Sequence, residues 1–218
     1  MAASSGPDII DDGLIFCVDA KNNKSYPGSG STLSDIGSGV DGTIYNATFD
    51  SSGHFDFDGS GDYISLDNFS SKLIGMTSFS LSVWFRYNNG GNSGYRYFLS
   101  MGDGSLTWNS KKWHVSFNHS THKFWWGSFG DATHQNDNCG SAMTHNAIYN
   151  VVFNSGGTLY KNGVSDATGK TDVGFDNDVL KSEIIAGISV AIAATLFCLL
   201  YTSPSPRDQR GSRMAASA

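Results

Sequence analysis

Residues 53–66 constrain the fold of this chain more than any other stretch of its sequence. Phe55 and Phe57 lie two residues apart with an acid between them, which places both rings on one face of a β-strand. Residues 58–61, Asp-Gly-Ser-Gly, favour a turn, because glycine tolerates positive φ and aspartate accepts hydrogen bonds from nearby backbone. Residues 62–66 then alternate again. The stretch therefore predicts a strand, a tight acidic corner and a second strand.

The same alternation recurs along the chain, between clusters of glycine, asparagine, serine and aspartate. Residues 62–66 place Tyr63 and Ser65 on one side, and the strand predicted over residues 78–87 has Val83 on its core face and Trp84 opposite. With 26 Gly, 13% aromatic and 16% charged residues, 218 residues predict an all-β, two-sheet antiparallel β-sandwich. The net charge of -6 argues against a nucleic-acid partner.

Four short motifs follow one another along the chain. They are residues 13–20 with 25–30, residues 55–64 in the form F-x-F-D-G-x-x-D-Y-I, residues 79–85, and residues 160–164. Asn162-Gly163, in the last motif, is also a type I′ turn signal. Together the motifs resemble the concanavalin A-like lectin/glucanase superfamily, in particular laminin G-like jelly-roll domains similar to those of marine phage structural proteins. The resemblance implies a jelly roll, a fold that hosts lectins, glucanases and plain structural modules.

The chain divides into three parts. Residues 1–12 form an N-terminal arm with no secretory signal, and residues 13–183 form the sandwich. Residues 184–201 are 18 residues without a charge, long enough for a membrane span. Residues 198–208, however, resemble a translated library-adaptor sequence. We therefore expect residues 184–218 to be an apolar segment and a non-native tail, leaving the sandwich without its last strands; a C-terminal membrane anchor or an unusual last strand are the alternatives.

The three cysteines indicate neither a disulfide framework nor a zinc site, because their number is odd and no two are closely spaced. Cys17 alternates with strand residues and is expected to be a core thiol. Cys139 falls in the polar stretch of residues 131–146, which reads as a loop.

Catalysis is not expected. Laminarinase-type relatives carry two glutamates in the form E-x-D-x-x-E, which act as nucleophile and acid/base. This chain has one glutamate, Glu183, so the resemblance implies a module without that reaction. No G-x-S-x-G motif occurs, and the histidines at 119, 122, 134 and 145 lack metal-ligand spacing.

Aromatic side chains outside the core pattern are the candidate ligand-binding residues. Sugar rings have apolar C–H faces, which suit an aromatic surface with a few polar groups. Trp125 has the opposite parity to Trp126, so one of the two is expected to face away from the core. The candidates are Trp84, Tyr95, Trp108, Trp125 and Trp126. The alternative interpretation is that several of these rings pack under loops.

The resemblance also implies a Ca²⁺ site at the sandwich rim, since many relatives hold this ion through carboxylates and carbonyls. Asp58, Asp62 and Asp103 are the candidate ligands, each in a glycine-rich turn. Capping of these turns is the alternative interpretation, and the favoured one.

The expected function is a non-catalytic carbohydrate-binding or adhesion module whose partner is a glycan or host-surface polysaccharide. The resemblance suggests a virion structural or decoration protein that touches other virion proteins, at a virion or extracellular surface. A purely structural protein-interaction sandwich is the alternative. A membrane-anchored lectin-like domain, which requires residues 184–201 to be native, and a glycoside hydrolase are weaker alternatives.

Overall fold

The computed structural model describes residues 13–37, 39–58, 61–66, 69–73, 76, 78–87, 95–102, 112–129, 135–168, 184–186 and 196–200. Strands dominate these ranges, with one short helix, α1 (Ser70–Leu73). The strands are β1 (Leu14–Asp19), β2 (Thr32–Leu33), β3 (Gly42–Tyr45), β4 (Thr48–Asp50), β5 (His54–Asp56), β6 (Tyr63–Leu66), β7 (Ser80–Arg86), β8 (Tyr95–Gly102), β9 (Lys112–Asn118), β10 (Lys123–Phe129), β11 (Gln135–Cys139), β12 (Ile148–Asn154), β13 (Thr158–Lys161), β14 (Val164–Ala167), β15 (Ile184–Ala186) and β16 (Leu196–Leu200).

Two large antiparallel sheets form a sandwich, which confirms the predicted all-β fold. The six-stranded sheet has the order β1-β16-β7-β12-β13-β14, and the eight-stranded sheet has the order β11-β10-β9-β8-β15-β6-β3-β2. Strands β4 and β5 pair as a separate ribbon.

Aromatic side chains from both sheets meet in the core. Phe85 of β7 packs on Phe98 of β8 with ring centres 4.7 Å apart, and Phe124 of β10 meets Phe153 of β12 at 5.1 Å. All four rings are buried, as the alternation of their strands predicts. Tilted and edge-on contacts of this kind suit the ring quadrupoles, so these pairs hold the two sheets together.

Strand β1 lies at the edge of the six-stranded sheet but is not open to another chain. The N–H of Cys17 donates to Oδ1 of Asp35 at 2.8 Å, and the N–H of Ile36 donates to the carbonyl of Cys17 at 2.8 Å. This loop covers the strand edge, a common protection against edge-to-edge pairing. Phe16, Cys17 and Val18 are all buried, so β1 is covered on both faces.

The apolar C-terminal segment supplies two strands of the sheets. Strand β16 lies between β1 and β7, and β15 pairs with both β6 and β8. The expected lack of last strands is therefore not what the structure shows, because an uncharged apolar run suits a strand inside a sheet as well as a membrane span. In the described part of the chain no helix has the length and apolar character of a span. The non-native origin of the tail stays a prediction.

The cysteine predictions need correction. Cys17 is disulfide-bonded, and it lies directly opposite Cys198 in the β1–β16 register. Cys139 is a fully buried cysteine outside the disulfide, and it lies at the end of β11, in a stretch predicted to be a loop. The composition of Gln135–Cys139 is polar, so the segment has no hydrophobic alternation that would predict a strand. Its strand conformation depends on backbone pairing with β10.

Candidate functional site

The side chains of the eight-stranded sheet that point away from the core form what we term its outer face. Ile64, Phe117 and Phe124 belong to the core, so the strand register places their alternating neighbours on the other side. The outer face includes Thr43, Tyr45, Tyr63, Ser65, Tyr97, Ser100, His114, Ser116 and Trp125. It combines flat aromatic rings with hydroxyl and imidazole groups.

Tyr45 and Tyr63 form a stacked pair at one end of the outer face. They lie directly opposite each other on β3 and β6. Their ring centres are 4.5 Å apart and their planes are 16° from parallel. Tyr45 keeps 42% of its surface exposed. Because each ring restrains the other, the pair presents an ordered aromatic surface to solvent.

The acidic corner before β6 holds Tyr63 in place. Asp62 is buried, and its Oδ2 accepts the N–H of Asp58 at 2.7 Å. Asn46, which follows β3 with a positive φ of 57°, donates from Nδ2 to the carbonyl of Gly61 at 3.0 Å. The first bond closes the corner, and the second ties the end of β3 to the segment that leads into β6.

A second aromatic group, centred on Trp125, lies at the other end of the outer face. The rings of His114 and Trp125 meet edge to face at 4.3 Å, and Tyr97 approaches His114 at 5.7 Å. Ser116 donates its hydroxyl to the carbonyl of Trp125 at 3.1 Å. Burial lowers the pKa of His114 to about 3, so this imidazole is neutral at neutral pH. This end of the face is aromatic, uncharged and largely buried.

The two aromatic groups are well separated on one surface. Strands β10 and β6 are four positions apart in the sheet order, which corresponds to about 19 Å at the usual strand spacing. A ligand that contacts both groups must therefore be longer than one sugar ring.

Of the five predicted ligand-binding aromatics, the three with described side chains lie in three different environments. Trp125 faces away from the core, as its parity predicts, yet it is only 3% exposed. Trp126 is buried in the core and stabilises the sandwich. Trp84 is 40% exposed and lies on the outward side of the other, six-stranded sheet. The side chain of Tyr95 and the whole of Trp108 lie outside the described residues.

Two of the three predicted Ca²⁺ ligands, Asp58 and Asp62, lie in the described part of the chain. The Asp62 carboxylate caps the corner through the N–H of Asp58, as the alternative interpretation predicts. The Asp58 side chain is exposed, and Asp103 lies outside the described residues. Among the residues that the structure describes, no group of three or more His, Cys, Asp or Glu side chains is placed to hold a metal ion. Calcium binding stays a prediction.

Sequence reasoning missed Tyr45, Tyr63, Tyr97 and His114 as candidate site residues. The alternation of residues 62–66 correctly places Tyr63 on the side opposite Ile64. What it does not give is the β3–β6 register, which brings Tyr45 against Tyr63. All four residues alternate with core residues along their own strands. A search for polar or amphipathic side chains at such positions would have found them.

No protein-family model matches the chain, and no curated protein matches it. Several solved structures do. The sialidase of Trypanosoma rangeli in complex with sialic acid matches with a TM-score of 0.63 at 17% identity, over 96% of this chain and 34% of the sialidase chain. A structure of botulinum neurotoxin type C, described as dependent for cell entry on interaction with two ganglioside molecules, matches with a TM-score of 0.53 at 14% identity, over 93% of this chain and 51% of that chain.

The CBM40 of the Ruminococcus gnavus IT-sialidase, bound to α2,3-sialyllactose, matches with a TM-score of 0.52 at 9% identity, over 78% of this chain and 96% of that chain. This chain thus spans about a third of the sialidase and nearly the whole length of the CBM40. At these identities the likeness shows a shared β-rich fold.

Proposed function

We propose that the chain is a non-catalytic carbohydrate-binding or adhesion module with a concanavalin A-like, laminin G-like jelly-roll fold, and that it binds glycans on the outer face. The observation that carries this proposal is the stacked Tyr45–Tyr63 pair, with its centres 4.5 Å apart and Tyr45 exposed. A sugar ring packs its C–H face on such a surface, while a few polar groups orient its hydroxyls.

Polar groups for that purpose lie beside the tyrosines. Thr43 and Ser65 are opposite each other in the β3–β6 register, two residues from the pair and on the same face. Both are half-buried, so their hydroxyls are held by the sheet and still reachable. The outer face therefore offers a stacking surface and neighbouring hydrogen-bonding groups on rigid strands.

The ligands of the similar structures support glycans as the partner class. The sialidase structure contains sialic acid, the CBM40 binds α2,3-sialyllactose, and the neurotoxin interacts with gangliosides. Two of these three ligand descriptions name sialic acid or a sialylated sugar, so a screen should include sialylated glycans.

The non-catalytic part of the proposal rests on the acids of the sequence. The single glutamate, Glu183, cannot supply the two glutamates that retaining relatives use. We therefore expect that a glycan bound by this chain is not cleaved. Incubation of the full chain with its bound glycan should release no new reducing ends.

A glycan array probed with the full chain tests the proposal, with and without added Ca²⁺. We expect binding to a restricted set of glycans and loss of that binding when Tyr45→Ala and Tyr63→Ala are combined. Equal, weak signal from every glycan contradicts the proposal. Loss of binding on removal of Ca²⁺ would support the predicted calcium site, whereas unchanged binding would count against it.

A purely structural protein-interaction module is the second candidate, and one observation favours it. Trp84 and Ile148 are 40% and 66% exposed and lie on the outward side of the six-stranded sheet. The β7–β12 register makes them diagonal neighbours, so they form a small apolar patch. If the array shows no preference and Trp84→Ser abolishes association of the full chain in analytical ultracentrifugation, this second candidate is the better account.

The setting of the module is proposed from the resemblance to phage structural domains. We place it at a virion or extracellular surface, in contact with host-surface polysaccharide and with other virion proteins. Labelled antibody against the chain should decorate particles or cell surfaces in electron micrographs, and labelling confined to the cell interior would contradict this setting.

A further inference from the structure

Four polar rings and one arginine side chain cluster at one end of the sandwich, on the core side of the eight-stranded sheet. We term this group the histidine cluster; its members are Tyr87, Arg96, His119, His122 and His145. Tyr87 follows β7, Arg96 is on β8, and the three histidines come from the β9–β10 turn and the loop before β12. The Tyr87 ring lies 4.9 Å from His145 and 5.7 Å from His122, and the two imidazoles are 4.9 Å apart.

Backbone hydrogen bonds fix the loop before β12 against Tyr87 and against the β9–β10 turn. The N–H of Asn146 donates to the carbonyl of Tyr87 at 2.6 Å, and the N–H of Met143 donates to the carbonyl of His122 at 2.9 Å. His122 and Asn146 both adopt positive φ, at 57° and 62°. Non-glycine residues rarely take this conformation, and they keep it where the surrounding contacts determine it.

Three polar atoms in the cluster are buried without a hydrogen-bond partner in the described part of the chain. They are Oη of Tyr87, Nδ1 of His122 and Nε2 of His145. Buried polar atoms are nearly always hydrogen-bonded in folded proteins. Three exceptions on rings that touch one another point to a ligand with polar atoms of its own.

The charge of the surroundings decides which kind of ligand fits. Two imidazoles and a phenol are possible ligands of a metal cation. However, Arg96 is buried in the same cluster and brings a positive charge to it. The pKa of His119 is lowered by burial and then by the positive charges of Arg96, His122 and His145. The charges that act on His119 from the described residues are therefore positive, and positive charges attract an anion and repel a cation.

We propose that the histidine cluster binds the carboxylate of an acidic sugar, with Arg96, Tyr87 and His145 donating hydrogen bonds to it. A guanidinium matches the planar pair of carboxylate oxygens better than any other side chain. Burial raises the pKa of Tyr87, while Arg96 acts in the opposite direction, so the phenol keeps its proton and can donate. The three histidines are only half-buried, which leaves room at the surface for the rest of the sugar.

This inference rests on the proposed glycan-binding function and adds a second, charge-selective contact to it. The outer face would accept the sugar ring by stacking, and the histidine cluster would select for acidity. Because the two sites use different residues, variants can separate them.

The test is isothermal titration of the full chain with glucuronate and with glucose, which differ by one carboxylate, and with inorganic sulfate. Near pH 6 we expect glucuronate to bind at least about tenfold more tightly than glucose or sulfate. Arg96→Gln should remove the preference, and Arg86→Gln, at an exposed arginine of β7, should preserve it.

His145→Gln provides a second variant, because this residue is half-buried in a loop and its loss need not unfold the sandwich. It should lower the affinity for glucuronate and leave that for glucose unchanged. Equal affinities for glucuronate and glucose, or sulfate binding as tight as glucuronate, would overturn the inference. If Tyr45→Ala leaves all sugar binding unchanged while Arg96→Gln removes the glucuronate preference, the proposed outer-face site fails and the histidine cluster stands.

Discussion

Trp84 and Trp125 occupy comparable positions in the two sheets and have opposite environments. Each alternates with core residues along its strand, and each has a small polar residue opposite it, Asn150 beside Trp84 and Ser116 beside Trp125. Trp84 is nevertheless 40% exposed, whereas Trp125 is 3% exposed. Alternation therefore identifies the face on which a side chain lies, and it does not reveal whether that face is covered.

The same contrast exists within the outer face itself. Tyr45 is open to solvent, whereas His114 and Trp125 are closed off on the same surface. A buried aromatic group at one end gives the sheet rigidity, and an exposed pair at the other end offers a place for a ligand. Both conditions favour binding on a pre-organised surface.

Removal of residues 184–218 should have the largest effect on stability, because it takes one strand from each of the two sheets. It deletes β16, which lies next to the strand of Trp84, and β15, which pairs with β6 and β8. We expect loss of cooperative folding, because interior backbone groups in both sheets lose their partners. Urea unfolding followed by circular dichroism measures this. A truncated chain with an unchanged unfolding midpoint would contradict the role of these strands and support a non-native tail.

Substitution of the two tryptophans tests the comparison directly. Trp125→Ala should lower the free energy of unfolding by about 3–5 kcal/mol, since it leaves a cavity in a buried environment. Trp84→Ala should change it by less than about 1 kcal/mol, because the ring is partly solvated. Urea titration of both variants gives these values. Similar losses in the two variants would show that their surroundings do not differ.

The pH dependence of stability tests the burial of His114. Its pKa is lowered to about 3 by burial, so the folded chain keeps this imidazole neutral while the unfolded chain protonates it below about pH 6.5. Its contribution is therefore complete above that pH and is lost as the pH falls. At about 1.4 kcal/mol per unit, we expect a loss of up to about 3 kcal/mol between pH 6.5 and 4. His114→Gln should flatten this slope in urea unfolding at several pH values, and an unchanged slope would contradict the burial.

The acidic corner offers the smallest expected effect on stability. Asp62→Ala removes the acceptor for the N–H of Asp58 and should lower the free energy of unfolding by about 1–2 kcal/mol. It should also loosen Tyr63 and weaken glycan binding. Asp56→Ala is the control, because this carboxylate is 50% exposed and the expected change is within about 0.5 kcal/mol. Equal effects of the two substitutions in thermal unfolding would rule out a special role for the corner.

Much of the fold was readable from local patterns. The strands β7, β9 and β10 follow from the alternation of core residues such as Val83, Val115 and Phe124 with residues that face away from the core. The Asn162-Gly163 turn follows from residue type, and both residues have positive φ, at 51° and 78°. In each case the information lies within a few consecutive residues.

What the sequence did not reveal depends on distant pairing. Strand β11 is polar and exists through its register with β10, and the disulfide of Cys17 requires a strand nearly two hundred residues away. The Tyr45–Tyr63 pair needs the β3–β6 register for the same reason. The candidate site could be narrowed to outward aromatics from the sequence, but which of them meet could not be derived.

The most direct test of glycan binding on the outer face is isothermal titration with a glycan selected on the array. Full-length Tyr45→Ala, Tyr63→Ala and Trp84→Ala variants are compared with the parent chain. The stacked pair predicts that either tyrosine substitution weakens binding by about tenfold or more, while Trp84→Ala leaves the affinity unchanged. Full affinity in both tyrosine variants, with loss in Trp84→Ala, would contradict the outer-face site and move binding to the six-stranded sheet.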